Sequence, residues 1–203
     1  MAQHHIIKEA GETIGQLLQA VFKENGYKRV HMVVAAPKQE AVEGKLPAIC
    51  VYLYNIQLEE DVRMHSYIEE ATTQDGRAVE VARMGPVWLR LDYLITTWAQ
   101  TPEEEQLLMG CAIKGLVEHP TISGVDLKGD SMASEPYLPV SLSAKLDEGV
   151  LSRFWASLNQ PMKPAIQCWT TVPIFPQTET EIRRVEERDV RFFDLKKLNR
   201  LKR

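Results

Sequence analysis

The sequence is short of several features that commonly announce a function. Its three cysteines, Cys50, Cys111 and Cys168, stand far apart among apolar residues. That number and setting exclude a disulfide framework and read as buried thiols. His4 and His5 are adjacent, so on a helix they point in different directions. His31, His65 and His119 have no metal-ligand spacing, and no metal is expected. No apolar run is long enough to span a bilayer, so no membrane contact is expected. Residues 1–5 lack the charged-then-apolar pattern of a signal peptide, which makes synthesis in the cytoplasm without Sec-type export the default expectation. A basic surplus is also missing. The 24 Lys and Arg are outnumbered by 28 Asp and Glu, for a net charge of -4, and phosphate-driven nucleic-acid binding is not favoured. No basic cluster interleaves with Trp88, Tyr93, Trp98, Trp155 or Trp169, which sit among aliphatic neighbours and read as core rather than as a stacking platform.

Catalytic signatures are equally scarce. GVDLKGDS (residues 124–131) spaces two glycines as a phosphate loop does, but Asp130 stands where that loop needs lysine and would repel phosphate. No GxGxxG follows a strand and no GxSxG elbow is present. Glu103, Glu104 and Glu105 fall in the first turn of a predicted helix, where the helix dipole explains three acids without chemistry. The expectation is a protein that is not an enzyme, with no catalytic, cofactor-binding or metal residues and no cofactor.

What is present describes an ordinary folded chain. Hydrophobic residues make up 44% and charged residues 26% of 203, enough for a real core. Apolar residues from Ile6 to Phe22 recur at steps of three and four and predict an amphipathic helix, with Gly26 at its C-terminal end. Residues 29–35 read as a short strand and 37–47 as a polar loop. Residues 48–58 (AICVYLYNIQL) are apolar on both alternating rows, the pattern of a central strand covered on both sides. Residues 86–99 form another long strand. Its row Val87, Leu89, Leu91, Tyr93 and Ile95 is purely core, while Trp88, Arg90, Asp92, Leu94, Thr96 and Trp98 are mixed. Thr101-Pro102-Glu103-Glu104 is a helix start built from a capping threonine, a first-turn proline and acids. That helix ends at His119-Pro120. Residues 137–144 predict a strand, Asp147 a cap for a short helix burying Leu151, Phe154, Trp155 and Leu158, and 164–175 a last core strand whose Pro173 belongs at an edge. The fold class is α/β (α+β), a single domain over residues 1–176 with a mixed or antiparallel sheet and about three helices.

Two segments do not build core. Residues 59–85 are polar and carry an Asp75-Gly76 turn signal, which predicts an extended β-arm. Such an arm has too little apolar surface to stand alone. Its tip residues Gln74, Asp75 and Arg77 are candidate interface residues. Residues 177–203 hold nine Lys and Arg against six Asp and Glu, net +3, which leaves the rest of the chain at -7. This charged C-terminal tail is expected to dock on a partner or neighbouring subunit, with Arg183, Arg184, Arg188, Phe192, Phe193 and Leu195 as candidate contacts.

The order of segments is itself informative. It runs from the first helix through the PAICVYLYNI strand and a polar insertion. LRLDYLITTWAQTPEEEQLLMGCAIKGLVEHPTISG (residues 89–124) and LSRFWASLNQPMKPAIQCWTTVPI (residues 151–174) follow. Over residues 6–174 this order resembles the N-terminal domain of the cap proteins, or tail terminators, of phage-tail-like contractile injection systems. The resemblance implies a structural part. Such caps form a six-fold ring that closes the inner tube and contacts the last sheath layer, in particles that stay cytoplasmic, are membrane-anchored or are released. The implied partners are further copies of the chain in a hexamer, the tube protein and the sheath protein. The alternative reading is an assembly adaptor or chaperone-like binding module. Some members of that family carry a long C-terminal domain where this sequence has the short charged tail.

Overall fold

The computed structural model describes residues 3–59, 67–72, 78–132, 135–143, 148–176 and 179–182. In chain order its elements are α1 (Ile6–Glu24), β1 (His31–Val33), α2 (Gln39–Val42), β2 (Ala48–Leu58), β3 (Tyr67–Thr72), β4 (Ala78–Arg83), β5 (Val87–Trp98), α3 (Pro102–Glu118), β6 (Thr121–Ser123), β7 (Tyr137–Pro139), β8 (Ser141–Leu142), α4 (Glu148–Ser157), β9 (Ala165–Ile174) and β10 (Glu179–Ile182). They fall into two units. One comprises residues 1–64 and 85–176, the other residues 65–84 and 177–203.

The larger unit is built on a five-stranded mixed sheet in the order β1-β2-β5-β9-β8. Only the β1–β2 pair is parallel; β2–β5, β5–β9 and β8–β9 are antiparallel. β5 is the central strand, and Leu91, Tyr93 and Ile95 on one of its faces are almost fully buried. They pack with Ile6, Ala10, Ile14, Leu18 and Phe22 of α1 and Leu108, Ala112 and Leu116 of α3 in the main apolar cluster. The apolar steps read in the sequence are thus the face that α1 lays on the sheet. Helix ends follow the predicted chemistry. The Thr101 hydroxyl accepts from the Glu104 N–H at 3.3 Å, with Pro102 in the first turn of α3. Gly26 follows α1 at φ 91°, a conformation that favours glycine. Close approach also needs small residues: a Cβ on Gly115 would lie 2.7 Å from the Val21 side chain, so α3 meets α1 there.

Four expectations are corrected. The short strand spans three residues rather than 29–35, and the loop 37–47 contains α2. The predicted strand 137–144 is two short strands in different sheets, β7 pairing with β6 and β8 with β9. The partner changes after Val140, whose N–H still donates to the Pro120 carbonyl, and Ser141 begins the pairing with β9. β2 is not covered on both sides along its length, since Ile56, Gln57 and Leu58 are exposed, and as a lateral neighbour β1 pairs only with Ala48, Ile49 and Cys50.

The smaller unit is a three-stranded antiparallel sheet in the order β10-β4-β3. Within the segment read as an arm, β3 and β4 pair from Tyr67↔Arg83 to Thr72↔Ala78. The first described residues after 178 form β10, with Glu179 opposite Arg83. β2, β5 and β9 connect in sequence to β3, β4 and β10, and the lateral order is the same in both sheets.

One buried carboxylate fastens the long loop after α3 to α1. Glu9 is 7% exposed and accepts the backbone N–H of Ser131 at 3.0 Å and of Met132 at 3.2 Å. Gly129, at φ 96°, passes so near that a Cβ there would lie 2.0 Å from Glu9 Cδ. Charge-assisted bonds of this kind are strong, and orphaned buried donors are costly. Glu9→Ala is therefore expected to lower unfolding stability by about 3 kcal/mol, measured by urea denaturation. A loss under about 1 kcal/mol would show that the loop is held by something else.

Candidate assembly face

The second face of the main sheet divides in two. One half is apolar: Ala48 and Cys50 of β2 and Leu94 and Trp98 of β5 cluster with Val42 of α2 and Leu151 and Trp155 of α4. Phe154 adds a ring 5.8 Å from that of Tyr52. The other half carries Asn55 and Gln57, Trp88, Arg90 and Asp92, and Trp169 and Thr171, which register places side by side. None of these belongs to either apolar cluster.

Asp92 organises this half. It is 2% exposed, and both of its oxygens are engaged. Asn55 Nδ2 donates to Oδ2 at 3.0 Å, Arg90 Nε to Oδ1 at 3.1 Å, and Gln167 Nε2 approaches Oδ1 at 3.5 Å. Gln167 Nε2 also donates to the Tyr54 hydroxyl. The register slips between Leu53 and Asn55, and Tyr54 is the extra residue. A bulge of this kind re-aims a side chain, and here it brings the Tyr54 hydroxyl to Gln167. Arg90 lies 4.4 Å from the centre of the Trp169 ring, a cation-π stack. The patch thus presents Trp88, Arg90 and Trp169, half-buried, on a fixed polar base. Trp, Tyr and Arg are the residues that dominate protein-protein hot spots.

Burial followed by the nearby Asp92 charge raises the Tyr54 hydroxyl above its ordinary pKa. Beside the patch lies a cavity of about 130 Å³, lined by Trp88, Glu135, Tyr137, Thr171 and Pro173 among others, smaller than ordinary ligand sites. Burial raises the Glu135 carboxyl there. A larger open hollow of about 520 Å³ lies between α2 and the start of α3. Its cation, Lys163, stacks 4.4 Å from Trp98 and is paired to Glu105, so the acid-rich helix start is used structurally. Among the described residues no three His, Cys, Asp or Glu gather as a metal site, and no helix is long and apolar enough to cross a membrane.

The candidate contacts proposed from the sequence, Gln74, Asp75, Arg77, Arg183, Arg184, Arg188, Phe192, Phe193 and Leu195, all lie outside the described residues. The Asp92 cluster was not foreseen. Its available signal was the mixed row of β5, where Arg90 and Asp92 sit at a spacing of two on one face.

Among the described residues the main sheet therefore has one face covered by α1 and α3 and a second face that is apolar only in its α4 half. The sequence of residues 9–187 matches the profile of the Pvc16 N-terminal domain, and the chain belongs to that family. Two cryo-EM structures share the fold. The tube-terminating cap of the anti-feeding prophage is 19% identical with a TM-score of 0.61, over 89% of this chain and 59% of that one. The sheath/tube terminator of the PVC extracellular contractile injection system, in its extended state, is 16% identical with a TM-score of 0.59, over 93% of this chain and 68% of that one. No curated protein matches the sequence. The chain therefore spans about three-fifths of the length of the anti-feeding prophage cap.

Two outcomes follow. Asp92→Ala, which strands the Asn55 amide and removes the carboxylate paired to Arg90, is expected to cost about 3 kcal/mol in urea unfolding. Trp169→Ala is expected to weaken assembly more than folding, and equal loss of both in paired sedimentation and melting experiments would remove the patch from the interface. The thiols give a pH test. Burial pushes Cys50 up to about 11 and Cys168 up to about 12 from 9.0. A raised folded-state pKa contributes stability below the unfolded value and loses it as pH rises. The melting temperature should fall as pH climbs from 9 towards 11 to 12, and Cys50→Ala and Cys168→Ala variants should each lessen the fall relative to the parent chain.

Proposed function

We propose that the chain is a cap subunit that terminates the tube and sheath of a contractile injection system, assembled as a hexameric ring. The observation that carries this reading is the family match over residues 9–187 together with a fold shared with two tube or sheath terminators. The role is structural rather than enzymatic. A closed ring of heterologous contacts ends growth by geometry, because each subunit meets its neighbours through two different surfaces. The half-bare face with Trp88, Arg90 and Trp169 serves one such surface. The arm tip (Gln74, Asp75 and Arg77) and the tail (Arg183, Arg184, Arg188, Phe192, Phe193 and Leu195) serve as joints to a neighbour, the tube protein or the sheath protein.

β10 takes up residues 179–182, and the sequence after it, 183–203, holds nine Lys and Arg against four Asp and Glu.

The test is solution mass of the purified chain over a concentration series, with negative-stain imaging of the chain alone and after mixing with tubes. Six-membered rings, or density confined to tube ends, are expected. Absence of the chain from purified particles would overturn the reading and leave an assembly adaptor in its place. Charge reversal at Arg183, Arg184 and Arg188 should weaken the ring at low salt and flatten its salt dependence. An unchanged salt profile would exclude those residues from the joint.

A further inference from the structure

The outer edge of β2 is open where most sheet edges are guarded. β1 reaches only Cys50, and among the described residues no strand lies beside residues 52–58 on the side away from β5. The direction of the free backbone groups follows from the register. Glu59 donates its N–H to the Trp88 carbonyl, so residues in phase with Glu59 face β5. Gln57 and Asn55 are in that phase, opposite Arg90 and Asp92. Ile56 and Leu58 therefore direct their N–H and C=O outward. Beyond the bulge Leu53, opposite Tyr93, does the same.

The edge has few of the usual protections. Natural edges are blunted by lysine, proline, short length or bulges. Residues 52–58 read YLYNIQL, with no charge and no proline, and extend roughly 23 Å. The bulge at Tyr54 is its one irregularity. Ile56 is 48% and Leu58 65% exposed. The opposite candidate edge, on β9 beyond Trp169, is poorer: Pro173 has no N–H to offer, and β8 already pairs with Trp169 and Cys168.

We propose that this edge of β2 accepts an added strand, and that the strand is residues 183–203 of a second copy. The proposal rests on the assembly reading above. Unpaired N–H and C=O groups in a row are matched by an extended backbone rather than by a helix or a small molecule. The segment 183–203 contains no proline or glycine and includes VRFFDL, residues 190–195, which places apolar side chains on both rows of a strand. Its net charge is positive, against a chain whose remainder is acidic. Its 21 residues exceed the seven or so that the edge needs. The donated strand would lay apolar residues beside Leu53, Ile56 and Leu58, and covering them would remove the exposed apolar row.

Amide hydrogen exchange on the full-length chain, in dilute and concentrated solution, tests this directly. The amides of Leu53, Ile56 and Leu58 are expected to exchange about tenfold or more slowly in the associated state than in the dilute one. A tail variant carrying Val190→Pro and Phe192→Pro, which keeps all charges but cannot pair, should lose that protection and associate more weakly. Ile56→Lys, a milder edge change, should do the same while leaving the melting temperature nearly unmoved. Protection that is independent of concentration would mean that the chain's own tail occupies the edge, and would overturn the second-copy assignment. Protection that survives the tail prolines would assign the edge to another strand. Free exchange of these amides in intact rings or on tube ends would sink the proposal and leave the cap reading standing.

Discussion

The structure depends on β5 being sandwiched by two different kinds of neighbour. On one face Leu91, Tyr93 and Ile95 lie under α1 and α3. On the other, the same strand passes from Trp98 and Leu94, beneath α4, to Asp92, Arg90 and Trp88, which lie outside both apolar clusters. A buried carboxylate in the middle of a sheet is unfavourable unless its oxygens are satisfied. That requirement explains several features together. Asn55 and Gln167 come from the strands on either side, Arg90 from the same strand, and the bulge brings Tyr54 into the group. A polar cluster so fully bonded fixes the positions of the half-buried Trp169 and Arg90, and a fixed aromatic and guanidinium surface loses little freedom when a partner covers it.

Much of the scaffold was legible because it follows from periodicity and capping. The three- and four-residue steps of α1, the Thr101-Pro102 start of α3 and the purely apolar row of β5 each state a local preference that agrees with the fold. The fold class itself, a mixed sheet packed by helices, could be read from the same signals. Where the reading failed, the deciding contact was distant in sequence. AICVYLYNIQL is apolar on both rows, yet whether such a strand is central depends on how far its neighbour extends, and β1 stops after three residues. The bulge at Tyr54 leaves no mark in the pattern, because tyrosine suits either row. The Asp92 cluster joins β2, β5 and β9 over separations of 37 and 75 residues, beyond any local window. Residues 137–144 carry one strand's pattern although the partner changes within them: Pro139 pairs with Thr121 and the Val140 N–H reaches the Pro120 carbonyl, and the next residue, Ser141, already pairs with Trp169.

The arm and tail show a different relation between sequence and structure. Polar composition and a turn signal picked out residues 59–85 as an insertion, and the strands found there are β3 and β4. Nothing in the tail's alternating charges announced that its first residues form β10 against β4. Pairing of that kind is a backbone property, and composition records it poorly.

The two sheets have the same lateral order of chains, β9-β5-β2 and β10-β4-β3. Such an arrangement leaves each sheet with an outer edge, and an outer edge must be guarded or used. β9 is guarded by Pro173 and the short β8. β2 has only its bulge, and carries exposed leucine and isoleucine beside free backbone groups. In an isolated monomer this is a liability for uncontrolled association. In a subunit whose neighbours are set by a closed ring, the same edge becomes a specific joint, because closure allows each edge one occupant and leaves none for a further copy. Under the proposed ring, the covered face would supply the stability of the subunit, while the half-bare face and the open edge would supply its contacts. A cap made in this way needs no catalytic residue, only surfaces that are satisfied when the ring is complete.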